Sequence, residues 1–275
     1  MTDAAEYRKA LAVARAAARA AADVHQKHLG KVKTDDWSVK GIADFVSFVD
    51  QEAEAEIVAQ IRRVFPHHEV LAEESADQLA DGAAELPAAE WTWVVDPLDG
   101  TTNFLHQFPM YCASVALLHH GEPAAAAVIC SATDDEWTAA RGEGAYRNGA
   151  LAQVSETDQL GRALVGTGFP FKVPHLLPHY LRQFENIIRQ VSDLRRGGSA
   201  ALDLCFLASG YLDGFWELDL RPWDYAAGVL MIREAGGVVT GLNGAPSWAR
   251  AGGGLIAGNP HVYAQLVRML SEVRA

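Results

Sequence analysis

Cysteine is scarce in this chain: Cys112, Cys130 and Cys205 are the only three in 275 residues. They are odd in number, far apart and set among apolar neighbours, which fits neither a disulfide framework nor a zinc site. Buried thiols in a reducing compartment are expected instead. Long apolar runs are also missing. No stretch approaches the ~20 uncharged apolar residues of a membrane helix, and Arg8, Lys9, Arg15 and Arg19 interrupt the alanine-rich N-terminus, which lacks the apolar core of a signal peptide. A cytoplasmic protein with no membrane partner is the expectation. Basic residues are outnumbered, 23 Lys and Arg against 35 Asp and Glu, for a formal charge of −12. Such a charge repels polyanions, so no nucleic-acid partner is expected. There is no internal repeat, low-complexity tract or Pro/Ser-rich linker. With 49% hydrophobic and 21% charged residues, the chain reads as one domain over 1–275.

Within it the pattern changes near residue 155. Residues 4–28 read as a helix, with alanines, Leu11 and Val13 between arginines and no proline before Gly30. A polar loop holding Asp35, Asp36 and Lys40 follows. Val49, Ala53, Ile57, Ile61 and Val64 then recur at three and four residues, an amphipathic helix with Asp50 in its first turn and Pro66 as its stop. Strands are expected at His68–Leu71 and Trp91–Val95, and antiparallel strands at 112–118, 124–130 and 137–141, with turns at Gly121–Pro123 and Asn148-Gly149. The half from about 156 to 275 alternates. Strands at 164–167, 214–217, 237–240 and 255–257 are interleaved with helices at 177–190, 200–210 and 225–235 and one from about Val262, which suggests layered helices and sheets in a mixed α/β protein.

The most informative run is Trp91 to Phe104. A buried strand is expected to stop at Pro97, and Gly100 frees the backbone for a sharp turn, so that Asp96 and Asp99 share one irregular bend. A helical turn starting after Gly100 would point free N–H groups outward, an arrangement that receives phosphate without a basic side chain. Hard oxygen ligands favour Mg²⁺, Mn²⁺ or Ca²⁺ over zinc, and Mg²⁺ suits phosphoryl chemistry best. A chain of charge −12 needs such cations if it is to hold an anionic substrate. Taken singly, each acidic position has an ordinary explanation. Asp-x-x-Asp caps backbone N–H groups, Glu73-Glu74 is a solvated pair, Asp224 is a helix N-cap, and Asp50 faces a helix dipole.

Taken together and in order, four segments resemble the inositol monophosphatase family of lithium-sensitive, magnesium-dependent phosphatases. They are Glu73-Glu74-Ser75, Asp96 to Phe104, Gly198-Ser199-Ala200-Ala201, and Trp223-Asp224 through Gly228. The resemblance implies a five-layered αβαβα sandwich, as in inositol monophosphatase and fructose-1,6-bisphosphatase, and a homodimer. It implies Glu73, Asp96 and the Leu98 carbonyl as ligands of a first metal, with Asp96, Asp99 and Asp224 holding a second. A third, weaker ion would touch Glu73, giving two or three Mg²⁺ per site, with Mn²⁺ as a substitute. Catalytic roles fall to Glu73, Thr101 and Asp50, and the implied reaction is attack of a metal-activated water on a small phosphate ester. Asp99, Gly100, Thr101, Ala200, Glu217 and Asp224 match substrate-binding positions. Lys40 either helps to position water from a mobile loop or is a solvated loop lysine.

Inositol monophosphate is the first substrate implied. Histidinol phosphate, fructose 1,6-bisphosphate and a 3',5'-bisphosphonucleotide share the same metal ligands, and a regulatory binding protein that keeps the fold is the alternative of another class. Departures from the family pattern (Ser47, Phe48, Ala72 and Gln107) remove no implied ligand. Among weaker signals, His25, His28, His67, His68, His119 and His120 read as surface histidines, Arg195-Arg196 as an exposed basic pair, and Gly252 to Gly254 as a turn. The seven tryptophans read as core or interface residues.

Overall fold

The computed structural model describes residues 3–32, 38–41, 44–46, 48–77, 86–242 and 254–273. The first half runs α1 (Asp3–His28), β1 (Ser38–Gly41), β2 (Asp44–Val46), α2 (Phe48–Val64), β3 (Glu69–Ala72), α3 (Glu73–Asp77), β4 (Trp91–Asp99) and α4 (Thr101–Leu105). It continues through β5 (Cys112–His119), β6 (Glu122–Cys130), β7 (Asp135–Ala140), β8 (Ala145–Arg147) and β9 (Ala150–Leu151). The second half runs β10 (Leu164–Thr167), α5 (Leu177–Ile188), β11 (Asp193–Arg195), α6 (Ala200–Ala208) and β12 (Gly214–Glu217). Then follow α7 (Pro222–Glu234), β13 (Val238–Gly241), β14 (Leu255–Gly258) and α8 (Pro260–Glu272).

Strands β3 to β9 form a seven-stranded sheet in sequence order, antiparallel except for the β3–β4 pair. The second sheet has the order β11-β10-β12-β14-β13, with β10 parallel to both its neighbours. Helices α1 and α2 cover one face of the first sheet, α6 and α7 fill the space between the sheets, and α5 and α8 close the outside of the second. The result is five alternating layers. On α1 the residues Ala10, Ala14, Ala17, Ala18 and Ala21 are fully buried at spacings of three and four, so one flank is faced with methyl groups that pack on β5 and β6. Strand β4 shows the alternation that two covered faces require: Trp93 and Val95 join the core under α1 and α2, while Val94 joins the one under α6 and α7. The three cysteines are buried and unpaired. No described helix is long and apolar enough to cross a membrane.

Several expectations need correcting. Strand β4 does not stop at Pro97. It runs on to Asp99 because the ladder slips there: Asp96 pairs with Ser114 and Asp99 with Cys112, three steps against two. That bulge takes Pro97 out of the hydrogen-bonded register, which is how a strand tolerates proline. Helix α7 starts at Pro222 rather than Tyr225, so Asp224 lies inside its first turn. The β5–β6 turn falls on His120-Gly121, both with positive φ, one residue earlier than expected. The loop around Lys40 contains the hairpin β1–β2, whereas Asp35, Asp36 and Gly252-Gly253 lie outside the described residues.

Candidate active site

The bulge in β4 sets the site. Asp96 is 2% exposed, and its Oδ1 accepts a hydrogen bond from the Leu98 N–H at 3.0 Å. The parallel neighbour β3 ends beside it, so Glu73, the first residue of α3, shares a side-chain hydrogen bond with Asp96. Two carboxyl groups bonded in this way hold one proton between them. Asp99 is anchored from the middle helical layer, its Oδ2 accepting from Ser199 Oγ and from the Ala201 N–H, each at 2.7 Å. Asp224 reaches the same place from α7, with Oδ2 accepting from the Arg221 N–H at 2.6 Å. Asp224 is therefore not the N-cap, which is Arg221, but the N3 member of a capping box, and its carboxylate also lines the cleft.

All four carboxylates line one cleft of about 580 Å³. Burial is the first cause of the raised Asp96 pKa, followed by the charges of Glu73, Asp99 and Asp224. Burial likewise raises Asp99 against the pull of its Ser199 and Ala201 hydrogen bonds, and pushes Asp224 up to about 7 with help from the Asp99 charge. Carboxylates held this close in a buried site must be neutralised, by protons or by cations. The donors are all oxygen, including the Leu98 carbonyl at the cleft wall. That set suits Mg²⁺ or Mn²⁺ better than zinc, which prefers sites that include nitrogen or sulfur.

Beside the carboxylates, Thr101 Oγ1 lies 3.0 Å from Asp50 Oδ1 and 3.0 Å from the Leu98 carbonyl. Asp50 is 2% exposed, so it sits behind the cleft wall that Thr101 lines. Gly100 caps α4 at φ +91, and a Cβ there would stand 2.7 Å from the Met110 carbonyl. Only glycine fits. Gly100, Thr101 and Ala200 line the cleft. Glu217 ends β12 at its rim, and burial, then the charge of Asp203, raises its pKa well above the ordinary glutamate range. The backbone of Lys40 lies on β1, and its side chain falls outside the described residues.

Several supporting groups had escaped notice in the sequence. Glu54, one turn after Asp50 on α2, accepts from the Glu74 N–H at 2.8 Å and from the Ser75 N–H at 3.4 Å, fixing the start of α3 that carries Glu73. Arg196 is exposed as expected, and it also lines the cleft, with its guanidinium 5.4 Å from the Phe169 ring centre and 5.2 Å from that of Phe171. Lys172 and Arg221 also line the cleft. Ser199 did carry a signal, as a capping-type residue before an apolar run.

His25 carried none. It is fully buried, not a surface residue. Its Nε2 donates to the Pro97 carbonyl at 2.9 Å, and its Nδ1 lies 2.6 Å from Ser131 Oγ. Burial pushes its pKa down to about 4, against the pull of the Pro97 carbonyl, so the ring is neutral. The Pro97 carbonyl and the Leu98 N–H belong to one peptide unit. His25 grips its oxygen end while the Asp96 carboxylate accepts from its nitrogen end. Helix α1 thereby helps to orient Asp96.

A model of the inositol monophosphatase family matches residues 6–275. The chain belongs to the inositol monophosphatase family. Among relatives of this family, a protein of Neisseria meningitidis serogroup B named putative Nus factor SuhB is 42% identical over 244 residues, 89% of this chain and 90% of that protein. The Nus factor SuhB of Escherichia coli K12 is 39% identical, over 96% of both chains. The structure of an inositol monophosphatase from Anabaena superposes with a TM-score of 0.84 at 36% identity, over 97% of both chains. These names overturn the expectation that nucleic acid is excluded as a partner, since proteins called Nus factors stand among the inositol monophosphatase relatives of this chain. The physical reason is that a net charge of −12 is a sum over the whole molecule and does not determine the potential of any one surface.

Proposed function

We propose that this chain is a Mg²⁺-dependent phosphomonoesterase acting on a small phosphorylated polyol, with inositol monophosphate the first candidate. One observation carries the reading: Glu73, Asp96, Asp99 and Asp224, far apart in sequence, line one cleft beside the Thr101–Asp50 pair. Glu73, Asp96 and the Leu98 carbonyl would hold one ion, and Asp96, Asp99 and Asp224 another, with Mn²⁺ as a substitute. Bound Mg²⁺ supplies Lewis-acid activation of water and cancels the repulsion between the acidic cleft and a phosphate ester. The protein's own groups do the rest. Asp50 accepts the Thr101 hydroxyl proton in its hydrogen bond and so orients Oγ1 at the cleft wall. The Gly100 and Thr101 backbone receives phosphate oxygens, and Glu217 and Ala200 face the polyol, where a strand-end carboxyl can accept from hydroxyl groups.

Phosphate release with Mg²⁺ is the test, measured against inositol, sugar, histidinol and nucleotide phosphates together. Turnover of a polyol monophosphate that vanishes with a chelator and falls with lithium is the expected result. Inactivity across the whole panel would sink the reading, whereas preference for histidinol phosphate or a bisphosphate would change only the substrate. A second reading, a regulatory role through a macromolecular partner, is favoured by the relatives named Nus factors. Asp96→Asn separates the two, because it removes turnover and leaves such a role in cells intact.

A further inference from the structure

Strand β4 has a second end. Glu90 precedes it, and the β5–β6 turn folds back alongside so that the His120 N–H donates to the Glu90 carbonyl at 2.8 Å. One ligand-capable atom from each of Glu90, His119 and His120 lies within 4.8 Å of the other two. As an ion pair alone the contact is weak: His119 Nε2 and Glu90 Oε1 are 3.9 Å apart, and the Glu90 side chain is 62% exposed.

His119 is nevertheless held from several sides. Its ring stacks on Trp91 with centres 3.9 Å apart and 3° between planes, and Trp91 is backed in turn by His68 at 5.5 Å and 8°. Its Nδ1 lies 2.8 Å from the Tyr7 hydroxyl, whose oxygen also accepts from Arg141 Nη1 at 3.4 Å. With Nδ1–H donating to Tyr7, the unprotonated Nε2 is turned toward Glu90. Ligating imidazoles are commonly prepared in this way, one nitrogen tied to an outer hydrogen-bond partner and the other presented. Glu90 and His120 are exposed. The His120 ring stacks on that of His119 with centres 4.4 Å apart, and rotation of the exposed Glu90 and His120 side chains closes the present spacing to the roughly 3.3 Å between ligand atoms that tetrahedral bonds of about 2.0 Å require.

We propose that Glu90, His119 and His120 form a binding site for a divalent transition metal of the zinc class, with three protein ligands and an open fourth position. Two imidazoles and one carboxylate suit Zn²⁺, Co²⁺ or Ni²⁺ and disfavour Mg²⁺, the reverse of the oxygen-only cleft. The two sites stand roughly 20–30 Å apart, the run of β4 at ~3.3 Å per residue. A metal at Glu90 would join the start of β4 and the β5–β6 turn directly, and α1 through Tyr7. The expected effect is on stability and not on turnover.

The test uses the full chain in excess Mg²⁺, which occupies the oxygen site. Co²⁺ should then give the visible absorption of a nitrogen-containing site at one ion per chain, and Zn²⁺ should displace it. Zn²⁺ at a hundredfold excess over Kd should raise Tm by about 5 °C. His120→Gln and Glu90→Gln, both at exposed positions that the core does not need, should each weaken Zn²⁺ binding at least about tenfold and leave phosphate release unchanged. Tyr7→Phe should weaken it less, through the lost outer partner. No Co²⁺ band in the presence of Mg²⁺, or Zn²⁺ affinity unaltered in both glutamine variants, would overturn the proposal.

Discussion

The two ends of β4 present opposite chemistry on one strand. At the end with Asp96 and Asp99, the donors are oxygen atoms drawn from α3, the bulge and α7, and they line a cleft in which Asp96 is buried. At the end with Glu90, two of three donors are imidazoles from a single hairpin turn, and Glu90 and His120 are exposed. Burial makes the difference. It raises Asp96, Asp99 and Asp224, so the cleft needs cations or protons merely to exist as folded. The far end needs neither, because water screens its one carboxylate. Each buried acid is also tied by hydrogen bonds to a named partner, whereas at the far end only His119 is tied.

Changes at one end should leave the other alone, and the largest effect is expected from Asp96→Asn. Phosphate release should fall about a thousandfold or more, the scale on which a preorganised electrostatic group is lost. Co²⁺ binding at the His119 end should not change, and a parallel loss there would mean that the two ends are coupled. Thr101→Ala should lower kcat about a hundredfold with a smaller change in KM, as expected when an oriented hydroxyl next to a carboxylate is removed. Equal loss in kcat/KM and in substrate affinity would make Thr101 a binding residue only.

His25→Leu comes next. Mn²⁺ affinity of the oxygen site, read by calorimetry, should weaken about tenfold, with partial rescue in His25→Gln, which can still donate to the Pro97 carbonyl. Loss of melting temperature with unchanged Mn²⁺ affinity would reduce His25 to a packing residue. The smallest effect concerns pH. The folded Asp224 carboxyl titrates at about 7, above the ordinary aspartate value of 3.8. Its contribution to stability is therefore complete below about pH 4 and lost as the pH rises through 7. Metal-free protein should lose a few degrees of Tm across that window, less in Asp224→Asn, and saturating Mg²⁺ should remove the loss. A metal-free Tm that falls equally in Asp224→Asn would assign the effect elsewhere.

Much of this was legible in the residues. The β4 run announced a strand ending in two carboxylates, and periodicity located α1, α2 and most strands to within a few residues. Asp50 and Thr101 could be paired through the family likeness, and they meet at 3.0 Å. Pro97 misled because the rule that proline ends a strand assumes a regular ladder, and the bulge supplies the exception. His25 misled because a lone histidine in an alanine-rich helix has no local mark of burial; only the packing of α1 on the sheet places it under Pro97. Arg196 is exposed, as its sequence setting suggests, but its place at the cleft beside Phe169 and Phe171, more than twenty residues earlier in the chain, has no local mark.

The sequence by itself determined the types of element and the acidic, oxygen-rich character of the Asp96 bend, and its four ordered segments carried the resemblance to the family. These follow from neighbours in sequence, where spacing and side-chain chemistry act directly. Only the tertiary structure decided that Glu73 and Asp224 reach that bend, that α1 orients it through a neutral buried imidazole, and that two histidines and a glutamate gather at the far end of the same strand. Those outcomes depend on layer packing and strand register, which bring together groups whose separation along the chain carries no information about their distance in space.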